Sequence, residues 1–258
     1  MKFAAAASAL ALSMLGLWTP AAQACSKPVR VAMMAWPPYF YAGDLGSAVG
    51  GDVEIMQVIF KEAGCKLEIG EEVPRKRRLA MFMAGELDMI PGSSDTPERR
   101  EYAWFSKPYR NETVSFFTLP AKLERYRDVR GFEDVLNRRI TLLSLNSGWF
   151  GPAYEQYIVR LREAKLSSTF EGFAQGLVML SKERGELIMA DHATLLTEAA
   201  RLKMDLAPLP HNISHAPVHM MFNKKTVPEA DVLLLDAAAE RLEARGVLKQ
   251  IRRNYGMQ

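Results

Sequence analysis

The chain has 258 residues, of which 33 are basic and 30 acidic, so its formal net charge at pH 7 is +3. This mild charge gives no indication of nucleic acid binding, which usually requires a strongly basic surface. Hydrophobic residues make up 48% of the chain, which is ordinary for a globular protein with a sizeable core. The length fits one compact unit or two small lobes.

The first 24 residues have the pattern of a secretory signal peptide. Lys2 supplies one early positive charge, an apolar stretch covers residues 3–18, and residues 22–24 form a small-x-small cleavage site. The apolar stretch is rich in alanine and shorter than the roughly 20 strongly apolar residues of a membrane-spanning helix. We therefore expect cleavage after Ala24 and export of the mature chain to the periplasm.

The chain has two cysteines, Cys25 and Cys65. In an oxidising compartment, an isolated pair favours a disulfide over two free thiols. The alternative is a lipoprotein in which Cys25 carries the lipid. Lipoprotein signals usually place leucine three residues before the modified cysteine, whereas this chain has Ala22 there. We expect the disulfide and keep lipidation as the alternative.

Short apolar runs alternate with helical patterns in the first half of the mature chain. Residues 29–34 predict a strand, and apolar positions repeat at helical spacing through residues 51–64. A second helix fits residues 77–84, and residues 87–90 follow as a buried strand. This part of the chain is predicted to be a βαβαβ unit.

The same kind of pattern begins again after residue 120. It predicts two further strands, at residues 140–143 and 187–190, and three helices, at residues 153–164, 173–182 and 192–203. Two successive units of this kind predict an α/β protein with two lobes, each a mainly parallel sheet flanked by helices.

The last part of the chain has a different pattern. Residues 218–222 predict a strand, residues 230–244 a long amphipathic helix, and a short basic helix follows. If this tail returns to the first lobe, that lobe comprises residues 25–119 and 215–258, and the second lobe residues 120–214. The chain then crosses between the lobes twice, and the crossings would form a hinge that closes around a ligand.

Several short segments stand at the ends of the predicted strands and helices, and they are Trp36-Pro37-Pro38-Tyr39, Gly51-Asp52-Val53-Glu54, Gly85-Glu86-Leu87-Asp88, Thr96-Pro97-Glu98-Arg99, Phe105-Ser106-Lys107-Pro108-Tyr109, and Gly185-Glu186-Leu187 leading to Asp191. In this order and spacing they resemble extracellular solute-binding proteins of the polar amino-acid type, the receptors of ABC importers. The resemblance covers nearly all of the mature chain. It implies the two-lobed type II periplasmic-binding-protein fold, a small ligand between the lobes, and an ABC permease as partner. We expect a monomer.

The resemblance implies that Arg99 binds the α-carboxylate of the ligand. A guanidinium offers a planar fork of donors that matches a carboxylate. Thr96 as N-cap and Pro97 at the first helical position would leave backbone N–H groups beside it. Gly92 and Ser94 precede this turn, and Ser94 matches a position that helps to hold the carboxylate. The alternative for Arg99 is a surface arginine that pairs with neighbouring acids.

The resemblance also places Asp191, Trp36 and Tyr39 at the ligand. Asp191 ends a predicted strand, where ligands of open α/β sheets bind, and would hold an ammonium group while Arg99 holds the carboxylate. Asp191 could also be the N-cap of the following helix, and the two roles are compatible. Trp36 and Tyr39 form a proline-braced aromatic turn suited to stacking on a ligand, and their alternative role is core packing.

Three further residues complete the predicted site. Arg77 matches a family position that points into the cleft. Trp149 and Phe150 belong to a loop of the second lobe that lacks the threonine usual in the family. Met33 stands where relatives that bind basic amino acids often carry an acid. These departures make a cationic ligand side chain the less expected choice.

Three histidines, His211, His215 and His219, are spaced four residues apart. Pro210 and Pro217 break any helix there, and in an extended chain such residues lie about 13 Å apart, too far to share one metal ion. We expect no metal site. The sequence also has no recognisable nucleophile or phosphate-binding loop, so we expect neither a catalytic residue nor a cofactor.

The sequence therefore predicts a periplasmic receptor, not an enzyme, that captures a small amino acid or related carboxylate for ABC-type import. Two alternatives stay open. Periplasmic cyclohexadienyl dehydratases resemble amino-acid receptors closely, and the same cleft could carry out elimination chemistry. A sensory receptor that reports its ligand to a membrane partner is the other.

Overall fold

The computed structural model describes residues 25–257. The predicted signal peptide and its cleavage after Ala24 lie outside the described residues. Within residues 25–257, no helix is both long enough and apolar enough to span a membrane.

The elements predicted from the sequence are all present, and most of their ends differ by a few residues. The strand predicted at residues 218–222 is an exception, because it begins at Ala207. In chain order the structure contains β1 (Val29–Met33), β2 (Tyr41–Ala42), β3 (Ala48–Val49), α1 (Gly51–Glu62), β4 (Leu67–Glu72), α2 (Arg75–Ala84), β5 (Met89–Ser93), α3 (Pro97–Arg100), β6 (Ala103–Phe105), β7 (Arg110–Thr118), a short 3-10 helix (Pro120–Lys122), α4 (Leu123–Tyr126), α5 (Phe132–Asn137), β8 (Leu142–Leu145), α6 (Pro152–Glu163), β9 (Ser167–Phe170), α7 (Phe173–Ser181), β10 (Leu187–Asp191), α8 (His192–Arg201), β11 (Ala207–Asn223), α9 (Glu229–Ala244) and α10 (Val247–Asn254).

The first two long helices form where apolar spacing and glycine predict them. Helix α1 buries Val53, Met56 and Phe60 on one face and is followed by Gly64, whose φ of +68° suits glycine. Helix α2 ends at Gly85, which adopts the left-handed conformation common just past a helix C-terminus.

The sheets are mixed, with more antiparallel pairing than mainly parallel lobes would have. Strand β1 pairs with β4 in parallel, and β8 pairs in parallel with both β9 and β10. The antiparallel pairs arise because β7 and β11 pair with each other and with β10, β5 and β6. Strand β11 was largely missed because Pro208, Pro210 and Pro217 lie within it; register shifts on either side of Asn212 accommodate the irregular pairing there.

The long strands β7 and β11 have one large hydrophobic core toward each end. The first core contains Phe40, Ile59 and Phe222 and is covered by α1, α9 and α10. The second contains Phe117 and Leu177 among the residues of β7, β8, β10 and the surrounding helices. Two cores in one α/β chain agree with the predicted two-lobed architecture.

Strands β7 and β11 carry the chain from one core to the other. Residues 114–117 of β7, which the sequence assigned to the first lobe, pair with β10 beside the second core. Residues 219–222 of β11 pair with β5 beside the first core. Between these pairings, residues 111–112 and 216–217 pair with each other, so a narrow two-stranded ribbon joins the two halves. The exact lobe limits stay a prediction.

Cys25 and Cys65 form the predicted disulfide, with Cα atoms 5.1 Å apart and a sequence separation of 40. In the chain-entropy model, a loop of this length stabilises the fold by about 4 kcal/mol. Ser26 reinforces the attachment, because its hydroxyl donates to Asp231 of α9 at 2.6 Å. The disulfide uses the Cys25 thiol that lipidation would require, so it argues against the lipoprotein alternative.

Candidate ligand-binding site

A cavity of about 170 Å³ lies between segments that belong to the two cores. Cavities that bind drug-sized ligands usually measure roughly 300 to 1,000 Å³, so this one suits a smaller solute. Six of the nine residues predicted to contact a ligand line it, and they are Trp36, Gly92, Ser94, Arg99, Trp149 and Phe150. Tyr39, Asp191 and Arg77 do not line it.

Arg99 is anchored at the cavity by the local structure that the sequence predicted. Thr96 is the N-cap of α3 and its hydroxyl accepts a hydrogen bond from the Arg99 backbone N–H, with Pro97 at the start of the helix. The guanidinium Nη1 donates to the Ser94 carbonyl at 3.0 Å. Within residues 25–257 the Arg99 guanidinium has no carboxylate partner. Most of its five N–H donors are therefore left for a ligand.

Gly92 gives the end of β5 the shape that opens this corner of the cavity. Its φ is +63°, a conformation that favours glycine, and its N–H donates to the Tyr109 hydroxyl at 2.8 Å. A Cβ here would lie 3.4 Å from Nη2 of Arg110 and 3.6 Å from Oδ2 of Asp52. These are ordinary van der Waals distances, so the positive φ is what favours glycine at this position.

That ion pair, Arg110 with Asp52, was not predicted and forms one wall of the cavity. Arg110 Nε donates to Asp52 Oδ1 at 2.7 Å and Nη2 donates to Oδ2 at 3.1 Å, with both side chains almost fully buried. The Tyr109 hydroxyl donates to the same Oδ2 at 2.8 Å. The carboxylate is therefore fully engaged, and its charge compensates the Arg110 guanidinium.

Asp191 and Tyr39 do not line the cavity, and their polar groups bond to each other. The Tyr39 hydroxyl donates to Asp191 Oδ1 at 2.9 Å, and the same oxygen accepts the Thr194 N–H as the N-cap of α8. The Arg110 guanidinium covers the Tyr39 ring at 3.7 Å from its centroid. Asp191 thus takes its alternative capping role, and the hydrogen bond links the first half of the molecule to the second.

Arg77 is exposed on α2, and the structure does not bring it to the cavity. Arg75 and Arg78 line the cavity instead. Residues three apart share a face of a helix, whereas Arg77 lies on a different face from Arg75. Arg78 is buried and donates to the Val73 carbonyl at 2.8 Å, which fixes the start of the helix.

Arg75 occupies the most unusual position in the cavity. Its guanidinium lies 4.1 Å from the centroid of the Trp36 ring, and a Cβ added to Gly148 would lie 3.0 Å from its Nη1. Its Nη2 is buried and makes no hydrogen bond within the described part of the chain. Burial, together with the neighbouring charge of Arg78, lowers the pKa of Arg75 to about 9.

Glu112, on the joining ribbon, is the second acidic residue of the cavity and had no recognisable sequence signal. Its Oε1 lies 3.7 Å from Arg110 Nη1, and its side chain is 16% exposed. Burial, followed by the negative charge of Asp191, raises the pKa of Glu112 to about 7, while Arg110 and Arg75 oppose the shift. Glu112 is thus a carboxyl group that titrates near neutral pH.

The histidines lie along extended strand β11. His215 Nδ1 is 2.8 Å from the Thr113 hydroxyl, and His219 Nδ1 donates to the Ser106 carbonyl at 2.7 Å. The residues that the structure describes contain no group of three or more His, Cys, Asp or Glu side chains placed to hold a metal ion.

Replacement of Tyr39 by phenylalanine should lower the free energy of unfolding by about 1 to 3 kcal/mol, because Asp191 would lose a buried donor while the aromatic packing remains. Urea unfolding measures the change. Tyr157→Phe is the matched control, since no hydrogen bond of its hydroxyl is found among the described residues. Equal effects of the two substitutions would contradict a special role for the Tyr39 hydroxyl.

Replacement of Glu112 by glutamine should stabilise the protein at high pH more than at low pH. Because folding raises the pKa of Glu112 from 4.5 to about 7, the unfolded chain loses this proton first and stability falls across that interval. We expect Glu112→Gln to gain about 1 to 3 kcal/mol more at pH 8 than at pH 5. Urea unfolding of wild type and variant at both pH values measures this gain, with Glu155→Gln, an exposed residue of α6, as control. The same gain in stability at both pH values would refute the prediction.

Comparisons with known proteins agree with this architecture. The ArtJ protein of Geobacillus stearothermophilus, which binds arginine, lysine and histidine, is 21% identical, with 89% of this chain and 94% of that one covered and a TM-score of 0.72. A histidine kinase sensor domain is 16% identical, with 90% and 97% covered and a TM-score of 0.75. An ancestral amino-acid-binding protein described as a precursor of cyclohexadienyl dehydratase is 19% identical, with 88% and 94% covered and a TM-score of 0.69.

At such identities these structures establish the fold, the type II periplasmic-binding-protein architecture predicted from the sequence. Among curated protein sequences, none matches the chain significantly. The model of the bacterial extracellular solute-binding proteins, family 3, matches residues 29–258. The match covers most of the 258-residue chain, and the protein therefore belongs to family 3 of the bacterial extracellular solute-binding proteins.

Proposed function

We propose that the protein is a periplasmic receptor that captures a small amino acid or related carboxylate between two lobes and presents it to an ABC permease. The observation that carries the proposal is Arg99. Its guanidinium faces the cavity beside Ser94 without a carboxylate partner among residues 25–257, and a ligand carboxylate would supply one.

The contacts across the cavity support closure around the ligand. Arg75 of α2 lies against Gly148 in a loop beside the second core, and Tyr39 bonds to Asp191 at the N-terminus of α8. Separation of the two halves would bend the ribbon of β7 and β11 and break these side-chain contacts, together with the contact between Trp36 and Phe173. A ligand held from both sides would favour the closed arrangement by its differential affinity.

Glu112 takes the role that the sequence gave to Asp191. Asp52 is paired with Arg110 and Asp191 is bonded to Tyr39, so Glu112 is the carboxylate of the cavity with the weakest compensation. An amino-acid ligand would place its ammonium group beside Glu112 and its carboxylate beside Arg99. The ammonium would favour the ionised form of Glu112 and offset the cost of burying it.

The proposed periplasmic location has support from three independent observations. The signal-peptide pattern, the disulfide and the membership of an extracellular family support a periplasmic location. Delivery to a permease, action as a monomer and absence of catalysis belong to the same proposal.

Replacement of Arg99 by alanine should weaken binding of the ligand by about 2 to 5 kcal/mol, because a ligand carboxylate would be left unpaired in a buried site. The ligand is first identified by a thermal-shift screen of amino acids and small carboxylates, and affinities are then measured by calorimetry. Arg162→Ala, on the exposed face of α6, is the control. Wild-type affinity in Arg99→Ala would contradict the site.

Glu112 also favours one alternative, a dehydratase-like enzyme. A general acid works best when its pKa lies near the working pH, and the pKa of Glu112 is about 7. As a receptor, the wild-type protein should give no product from prephenate or arogenate when the mixtures are analysed by chromatography. Product that forms with wild type and disappears with Glu112→Gln would replace the receptor proposal with the enzyme.

A further inference from the structure

The cavity has a marked excess of positive charge. Five basic and two acidic side chains line it; the basic ones are Arg75, Lys76, Arg78, Arg99 and Arg110, and the acidic ones are Asp52 and Glu112. Asp52 is fully used by Arg110, and Glu112 also has Arg110 as its nearest cation. Glu112 also interacts with Arg75 over a longer distance, but two acids cannot balance five basic residues.

Four guanidinium groups line the cavity, and three of them have no acidic partner within 4 Å among the described residues. These three are Arg75, Arg78 and Arg99. Arg78 bonds to a backbone carbonyl at the edge of the cavity, and Arg99 bonds to the Ser94 carbonyl. Among the described residues, the Arg75 guanidinium has neither an acidic partner nor a hydrogen bond to a backbone carbonyl. Burial of a cation is costly unless an anion or several hydrogen bonds compensate it.

Arg75 is nevertheless held in one place by its surroundings. The guanidinium lies over the Trp36 ring, 4.1 Å from its centroid, and Gly148 lies close to Nη1, since a Cβ added to Gly148 would be 3.0 Å from that atom. Trp36 is itself fixed by an edge-to-face contact with Phe173, with the ring centroids 5.6 Å apart. A planar cation that rests on an aromatic ring keeps its N–H fork available for a planar anion.

We propose that the ligand is a small dianion that places one carboxylate on Arg99 and a second on Arg75. This inference rests on the proposed function and narrows its substrate class to acidic amino acids or dicarboxylates. The second carboxylate satisfies the buried Nη2 of Arg75 and neutralises the excess charge of the cavity. With a neutral or cationic ligand side chain, Nη2 of Arg75 would lack a partner and the positive charge of the cavity would not be balanced.

The test compares acids with their uncharged amides by calorimetry. Wild-type protein should bind L-glutamate or L-aspartate at least about tenfold more tightly than L-glutamine or L-asparagine, since only the acids pair with Arg75. Arg75→Ala should reduce this ratio to about one. Arg75→Lys should keep part of it, because lysine retains the charge and loses the planar fork.

Arg77→Ala is the matched control. Arg77 lies on the same helix, is exposed and has the same charge, so this variant should keep the wild-type ratio. Thermal unfolding verifies that all variants are folded. If Arg75→Ala does not fold, the acid-to-amide ratio of Arg75→Lys is used instead. Succinate distinguishes the two classes of ligand. Tight binding of succinate indicates that the ligand is a dicarboxylate. Weak binding of succinate together with tight binding of L-glutamate indicates an acidic amino acid.

The outcomes separate this inference from the proposed function. If wild type binds an amide as tightly as its acid, or if Arg75→Ala and Arg75→Lys keep the full preference for the acid, the inference is wrong. If neutral amino acids bind and depend on Arg99 but not on Arg75, the receptor proposal stands without the dianion. If no amino acid or carboxylate binds, both are wrong.

Discussion

The buried ion pair between Arg110 and Asp52 is the interaction on which the site depends. Both side chains are at most 2% exposed, and two hydrogen bonds join them. Breaking such a pair by removing one partner is strongly destabilising, typically by about 3 to 5 kcal/mol, because the other charge stays buried. Asp52 also lies in the first turn of α1, where the helix dipole favours a negative charge.

One guanidinium thereby organises three parts of the molecule. Arg110 begins β7, bonds to Asp52 of α1, and covers the Tyr39 ring whose hydroxyl reaches Asp191 at the N-terminus of α8. The remaining nitrogen, Nη1, is buried without a hydrogen bond among the described residues and lies 3.7 Å from Glu112. The position of Arg110 therefore sets both the contact between the two halves and the electrostatics of Glu112.

The sequence predicted the parts of this structure that depend on local rules. Thr96 and Pro97 mark the turn that presents Arg99, and Gly85 marks the end of α2. Two cysteines in a chain with the pattern of a signal peptide predict a bridge between them. These features were predictable because each depends on a few neighbouring residues or on the compartment. The two-lobed α/β architecture followed from the repeated strand and helix pattern in the same way.

The features that were missed depend on contacts between distant residues. Arg75 was passed over for Arg77 because the helical face toward the cavity is decided by packing, and both residues stand in one basic run. Glu112 has no motif, and its raised pKa arises from burial and from Asp191, 79 positions later in the chain. Asp191 itself was placed in the right region, but only the fold shows that Tyr39 already uses it.

The same arrangement couples ligand chemistry to the proton of Glu112. Its carboxyl group stays half-protonated near neutral pH because burial and Asp191 outweigh Arg110 and Arg75. A carboxylate bound to Arg75 would weaken the support that this arginine gives to ionised Glu112, whereas a ligand ammonium group would strengthen it. If the proposed dianion binds, a dicarboxylate would therefore favour protonated Glu112, and an acidic amino acid would favour ionised Glu112.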